Sequence, residues 1–217
     1  MSELQIFDLD NTLLAGDSDR NWGIFLAENN IVGSSYLDES EKFYKNYYDG
    51  NLDIDGFLSF CLKPLVSNEM SDLIKFREQF IEEKIKPIIT KSGKEVVNKA
   101  IADGKTVVIA TATNDFVTRP IADLFNVSTL IATEFEIKDN SFTGNIVDVP
   151  CFRDGKLKKV EKWVQKNNFQ LSEATFYSDS FNDLPLLEKV KHPIIVDGDD
   201  KLREIGNNNN WKCVSFR

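Results

Sequence analysis

The stretch Leu4-Gln5-Ile6-Phe7-Asp8-Leu9-Asp10-Asn11-Thr12-Leu13-Leu14 constrains the chain more than any other. An apolar run delivers two carboxylates one residue apart, followed two positions later by a hydroxyl. On an extended strand Asp8 and Asp10 project to the same side, because side chains alternate with period two. Two like charges that close repel unless they share a proton or face a cation. Hard divalent cations such as Mg2+ take oxygen ligands and keep waters and substrate phosphate in the rest of their shell. The stretch therefore predicts either an aspartate-based Mg2+ and phosphate site at the carboxyl end of a first strand, or a metal-free acidic turn.

The totals narrow the classes. A chain of 217 residues holds one good-sized domain, or a core with an insertion. A net charge of -9, from 26 Lys+Arg against 35 Asp+Glu, argues against nucleic acid as a partner, which needs a basic face. Cys61, Cys151 and Cys213 are odd in number and widely spaced, so reduced thiols and a cytoplasmic setting are expected. The N-terminal residues do not read as a signal peptide, and no apolar run approaches the ~20 residues of a bilayer span, so no membrane partner is expected. The single histidine, His192, excludes a two-histidine phosphatase and a His-rich zinc site. Gly93-Lys94, Gly104-Lys105 and Gly155-Lys156 lack the upstream glycine of a P-loop.

The chain changes character twice. Residues 17–87 read as helical and aromatic. One helix is opened by the Asp17-Ser18-Asp19 cluster and ended by Asn29-Asn30. A second is capped by Asp38 or Ser40 and closed at Asp49-Gly50. A third opens at Asp53 and stops at Pro64, and a fourth ends or kinks by Pro87. From Lys91 onward apolar runs alternate with helical segments. Strands are expected at 106–110, 129–133, 135–137, 142–147, 174–177, 194–196 and 213–216. Strands alternating with helices imply an α/β fold, a doubly wound, mostly parallel sheet covered on both faces. A lone first strand cannot fold by itself. The expected organisation is therefore a core from 1–16 and 88–217 with an α-helical cap of 17–87 inserted into it.

In such sheets ligands bind beyond the carboxyl ends of the strands. Asp8/Asp10/Thr12, Thr111/Thr113/Asn114 and Asp179/Asp183 all fall at such ends, and Lys156 opens a helix on the same rim. Singly, each has a plain reading as a cap or a solvated charge. Together they supply a nucleophile, metal ligands, a hydroxyl donor and a cation, which is what phosphoryl transfer requires.

The order and spacing of these residues resemble the haloacid dehalogenase (HAD) superfamily. Its DxDx[TV] motif is matched by Asp8, Asp10 and Thr12, its strand-ending Ser/Thr by Thr111, its lysine by Lys156 with Lys158 and Lys159 close by, and its aspartate pair by Asp179 and Asp183. The insertion resembles the helical C1 cap, and Ser178-Asp179-Ser180-Phe181-Asn182-Asp183 resembles the phosphoserine-phosphatase-like subfamily IB. The chain departs from that subfamily at Ala112 and Thr113, where phosphoserine phosphatases show two glycines, and at Ser178 and Ser180.

The resemblance implies a Rossmann-like core and a phosphoric monoester hydrolase acting on a small-molecule phosphate ester, with Mg2+ as cofactor. It implies that Asp8 forms an aspartyl-phosphate and that Asp10 is general acid and base, oriented by Thr12. It places Mg2+ on Asp8, Asp10 through its carbonyl, and Asp179, with Asp183 as ligand or in the next layer. Thr12, Thr111, Lys156 and Asn182 then hold phosphate or substrate. In the Asp17-Ser18-Asp19 cluster one of the two carboxylates, Asp17 or Asp19, either caps a helix or meets a cationic group on the substrate. Histidinol phosphate and phosphoserine both carry such a group, and histidinol phosphate is preferred because the glycines are missing. A phosphotransferase or mutase shares the motifs. A phospho-acceptor signalling module shares part of them but lacks a counterpart to Asp10.

Overall fold

A computed structural model describes residues 2–217. These form a seven-stranded sheet in the order β4-β3-β2-β1-β5-β6-β7. Its strands are β1 (Leu4–Phe7), β2 (Thr106–Asn114), β3 (Thr129–Lys138), β4 (Ser141–Val147), β5 (Thr175–Ser178), β6 (His192–Val196) and β7 (Lys212–Val214). Neighbours pair in parallel except β3 and β4, which form an antiparallel hairpin. The hairpin turns on Asp139 and Asn140, both at positive φ (49° and 59°), a conformation that short polar side chains tolerate.

Period-two alternation sorts the central strands between two cores. Leu4 and Ile6 of β1, with Val108 and Ala110 of β2, face α7 (Asp154–Lys166), α8 (Leu184–Leu187) and α9 (Asp200–Asn208). Phe7 and Ile109 face the opposite way, towards α5 (Lys91–Ala102) and α6 (Asp115–Leu124). Phe7 stacks on Tyr177 with ring centroids 4.3 Å apart. A strand buried on both faces reads as a near-continuous apolar run, and β1 and β2 do so.

Between β1 and α5 the chain forms α1 (Ser18–Glu28), α2 (Tyr36–Asp49), α3 (Ile54–Val66) and α4 (Met70–Phe80). It leaves and re-enters the core side by side. Leu14 bridges Ile89, Ala15 N–H donates to the Ile88 carbonyl at 2.6 Å, and both the amide and the hydroxyl of Thr90 donate to the Leu13 carbonyl. Trp22, Phe25, Leu65, Leu73 and Phe80 of the inserted helices belong to the same continuous core as Phe7 and Ile109.

Several expected boundaries shift. Helix α2 starts at Tyr36, so Asp38 and Ser40 lie inside its first turns, not at its cap; Gly50 closes it at φ 81°. Helix α3 runs through Pro64 to Val66, because the buried Leu62, Pro64 and Leu65 anchor its last turn and Asn68 Nδ2 donates to the Pro64 carbonyl. The two short strands expected at 129–133 and 135–137 are one strand, whose first half pairs with β2 and second half with β4. Helix α8 is a single turn, preceded by a tighter turn over Phe181–Asp183. The fourth helix does break before Pro87, through a wide turn at Ile81–Ile85 and a tight one at Lys86–Ile88.

Candidate active site

Strand β1 ends at Phe7, so Asp8 and Asp10 do not owe their common direction to strand alternation. Asp8 extends the strand by one bond, its amide donating to the Tyr177 carbonyl at 2.9 Å. The chain then folds into a turn in which the amides of Leu13 and Leu14 both donate to the Leu9 carbonyl. Asn11 takes φ 56°, tolerable for Asn, and its amide donates to the Gly16 carbonyl. This turn carries both carboxylates into one cavity and points Thr12 back under them.

Thr12 is fully buried, and its hydroxyl lies 3.2 Å from Asp8 Oδ2 and 3.1 Å from Asp179 Oδ1, while accepting from the Asp179 amide at 3.0 Å. A hydroxyl has one proton, so it serves one of the two carboxylates at a time. The expectation that Thr12 orients Asp10 is therefore corrected: its partners are Asp8 and Asp179, because the turn places it four residues after Asp8 on the floor of the site. Asp10 is held by other groups. The Ser18 amide donates to its Oδ1 at 2.6 Å, and the Thr113 and Thr111 hydroxyls donate to its Oδ2 at 2.9 and 3.2 Å. Thr113 belongs to the polar end of β2, and nothing in its local sequence sets it apart. Only its pairing with Asp10, across 103 residues, marks it.

Of the three neighbouring lysines, only Lys156 reaches the aspartates. Its ammonium is 2.9 Å from Asp8 Oδ1 and 2.7 Å from Asp183 Oδ1, with the side chain almost wholly buried. Lys159, one turn further along α7, instead binds the Ala132 carbonyl and Glu134, and Lys158 is exposed. The helix can start this close to the site because residue 155 is glycine: a Cβ there would sit 2.0 Å from the Pro150 carbonyl oxygen. Asp183 also accepts from the Ser178 hydroxyl at 2.7 Å. Asn182 accepts from Arg153 Nε at 2.9 Å, while Arg153 Nη2 donates to the Gly50 carbonyl at 2.8 Å, tying the end of α2 to the core. Tyr47 and Ser180 make a second such tie, with their hydroxyl oxygens 3.2 Å apart.

The aspartates, Thr111, Thr113, Lys156 and Asn182 border one cavity, which with the solvent-open space at its mouth spans roughly 800 Å3. It is walled on one side by Asp8, Asp10, Thr111, Lys156, Asp179 and Asp183. The other side is formed by the inserted helices through Asp17, Asp19, Phe43, Tyr44, Phe57 and Cys61. Six aspartates line it, and among its lining residues Lys156 is the one basic side chain. Burial, with repulsion from Asp183 and Asp10, lifts Asp8 to about 7 against the pull of Lys156. Burial, then Asp8 and Asp183, pushes Asp179 well above the usual carboxylate range. Asp17 is raised by burial and by Asp10 and Asp19, and Asp19 is raised by burial to about 6 although Tyr44 and Cys61 donate to it. Burial works against the Lys156 ammonium, but Asp183 and Asp8 outweigh it and hold the charge firmly.

The cavity is short of positive charge, and its free donors are all oxygen, the chemistry of a hard divalent cation. Among the described residues no three His, Cys, Asp or Glu side chains converge as a ready cluster. The carboxylate of Asp183 is taken by Lys156 and Ser178, and that of Asp10 by Ser18, Thr111 and Thr113. Asp8 also meets Lys156 through Oδ1, and its Oδ2 lies with Asp179 Oδ1 beside the single Thr12 hydroxyl, so the Asp8–Asp179 pair is where a cation fits with least displacement of existing partners.

Residues 6–188 match the family model of the haloacid dehalogenase-like hydrolases. A curated histidinol-phosphatase of Neisseria meningitidis is 35% identical over all of this chain and all of its own length. A phosphoserine phosphatase of Mycobacterium tuberculosis is 26% identical over 97% of this chain and 70% of its own. Among solved structures, a protein of unknown function from Bordetella pertussis superposes with a TM-score of 0.92 at 36% identity, each chain fully covered. A substrate-bound phosphoserine phosphatase superposes with a TM-score of 0.73 at 18% identity, over 99% of this chain and 93% of the other, which speaks to fold alone.

Proposed function

The chain belongs to the haloacid dehalogenase-like hydrolases, and on that footing we propose that it is a Mg2+-dependent phosphomonoesterase for a small cationic phosphate ester, histidinol phosphate being the best fit. The charge of the cavity carries this reading. Phosphoserine brings a carboxylate as well as an amine, and a carboxylate in this cavity meets six aspartates while the one lysine is already engaged by two of them. An ester with cationic groups and no carboxylate finds the opposite, and like charge held in a low-dielectric site is a strong element of rejection. Asp17 caps α1 beside the Ser18 amide that binds Asp10, so its carboxylate is the one placed to meet an amine near the phosphate.

In this reading Asp8 is the nucleophile. An Asp8 carboxylate oxygen attacks phosphorus, the ester P–O bond breaks, and the leaving alkoxide takes a proton from Asp10. Water then attacks the aspartyl-phosphate, giving its proton to Asp10, and the Asp8–phosphorus bond breaks to release inorganic phosphate. Ser18, Thr111 and Thr113 hold Asp10 at the angle both transfers need. Lys156 favours the ionised form of Asp8 and, with Thr111, faces the phosphoryl oxygens, while Asn182 steadies the rim. Asp8, Asp179 and the Asp10 carbonyl would hold Mg2+, which would supply charge neutralisation for the phosphoryl group. The helices of 17–87 serve as a cap that shuts out water and bulky esters.

Phosphate release from histidinol phosphate and from phosphoserine at saturating Mg2+ tests the proposal. A kcat/KM for histidinol phosphate at or above ~10^4 M-1 s-1, and at least 100-fold over phosphoserine, is expected. Equal or greater turnover of phosphoserine refutes the charge argument.

A further inference from the structure

Asp19 sits where three inserted helices meet. It lies in the first turn of α1, accepts from the Tyr44 hydroxyl of α2 at 3.1 Å, and accepts from the Cys61 thiol of α3 at 3.5 Å. Both donors converge on Oδ2, so the orientation of the carboxylate is set, and Oδ1 has no hydrogen-bond partner among the described residues. The nearest sequence cation is turned elsewhere. Arg20 binds Glu41 at 2.7 Å and lies 5.4 Å from the centre of the Tyr44 ring, on the exposed side. The cavity wall around Asp19 is aromatic: Phe57 lies 5.5 Å from Phe43 and 5.9 Å from Tyr44 by ring centroids.

We infer that Asp19 is a specificity-determining residue that reads the ring of the substrate, its free Oδ1 accepting an N–H of a flat heteroaromatic cation packed among Phe43, Tyr44 and Phe57. The inference rests on the reading of a cationic ester above and goes beyond it by dividing the two acids of the cap. Asp17 lies next to the residue that holds Asp10 and answers the amine, whereas Asp19 lies deeper among the cap helices and answers the far end of the molecule. Such a slot rewards a group that is at once planar, cationic and a hydrogen-bond donor, since carboxylate pairing and stacking on ring faces act on it together. An aliphatic ammonium is cationic and a donor but not planar, and it leaves the aromatic wall without a stacking partner.

The test compares the wild-type chain with Asp19→Asn on two esters, histidinol phosphate and 2-aminoethyl phosphate, which keeps the amine and lacks the ring. Asn preserves an acceptor for Tyr44 and Cys61, and a thermal melt verifies that the variant is folded. The ratio of kcat/KM for histidinol phosphate to that for 2-aminoethyl phosphate is expected to fall at least tenfold in Asp19→Asn, through a rise in KM larger than any fall in kcat. Equal losses on both esters, or a loss confined to kcat, overturn the assignment of Asp19 while leaving the proposed function standing. Failure of the wild type to turn over histidinol phosphate overturns the proposed function, and the assignment with it.

Discussion

Asp19→Asn makes a second, independent prediction about stability. Burial lifts the Asp19 carboxyl from 3.8 to about 6 in the folded chain. A carboxylic acid whose folded pKa lies above its unfolded value binds protons more tightly when folded. Its contribution is therefore fully present below pH ~3.8, falls as pH rises through the window up to about 6, and is flat beyond. A rise of that size corresponds to about 3 kcal/mol of cost at neutral pH. Asp19 borders a cavity partly open to water, which reduces this to about 2 kcal/mol. Asn removes the charge and keeps the carbonyl that Tyr44 and Cys61 bond, and it also relieves Asp17, which Asp19 pushes upward. The variant should gain about 2 kcal/mol at pH 7.5, or about 4–8 °C in Tm for a chain of this size. Most of that gain should vanish at pH 4. Urea titrations at the two pH values, in EDTA and without substrate, read the difference directly. A variant that is less stable at pH 7.5, or equally stabilised at both, refutes the claim that Asp19 is an uncompensated buried charge. A gain in stability accompanied by loss of ring selectivity is the pattern of a residue kept for function at the expense of the fold.

Lys156→Met strands Asp8 and Asp183 without their shared cation, and breaking such a buried pair should cost about 3–5 kcal/mol at pH 7.5. The loss should shrink at pH 5.5, because without Lys156 the Asp8 carboxyl titrates above the value of about 7 it has now and neutralises itself, and turnover should fall at least ~100-fold. Chelation by EDTA should abolish phosphate release and added Mg2+ restore it; metal-independent hydrolysis would sink the ion site on Asp8 and Asp179. Gly155→Ala should destabilise by more than ~2 kcal/mol in urea titrations, since its Cβ meets a backbone oxygen that no rotamer can move. A neutral result there would show that the segment before α7 shifts freely.

The features legible in the sequence are those that depend on near neighbours. Apolar runs at Leu4–Phe7 and 106–110 were enough for buried strands, although the second runs on to Asn114, and helical spacing over 17–87 was enough for the helices that lie between them. That Asp8, Asp10, Thr111, Asp179 and Asp183, near strand ends, and Lys156, in the first turn of α7, line one cavity was legible too, because a parallel sheet brings those ends to one edge. Helix ends were legible where a local cap decided them, as at Asp17, Asp53 and Gly50, and misplaced where burial overrode the local signal, as at Pro64. Which polar groups pair was settled in three dimensions alone. Thr12 serves Asp8 and Asp179 and not Asp10, Lys156 and not Lys159 meets the aspartates, and Asp19 is aimed by Tyr44 and Cys61 from two other helices. Those partners lie from four to 167 residues apart along the chain. Period and propensity act over a few residues, whereas a hydrogen bond needs its atoms within about 3 Å in space. Only the packing of the helices on the sheet sets distances of that kind.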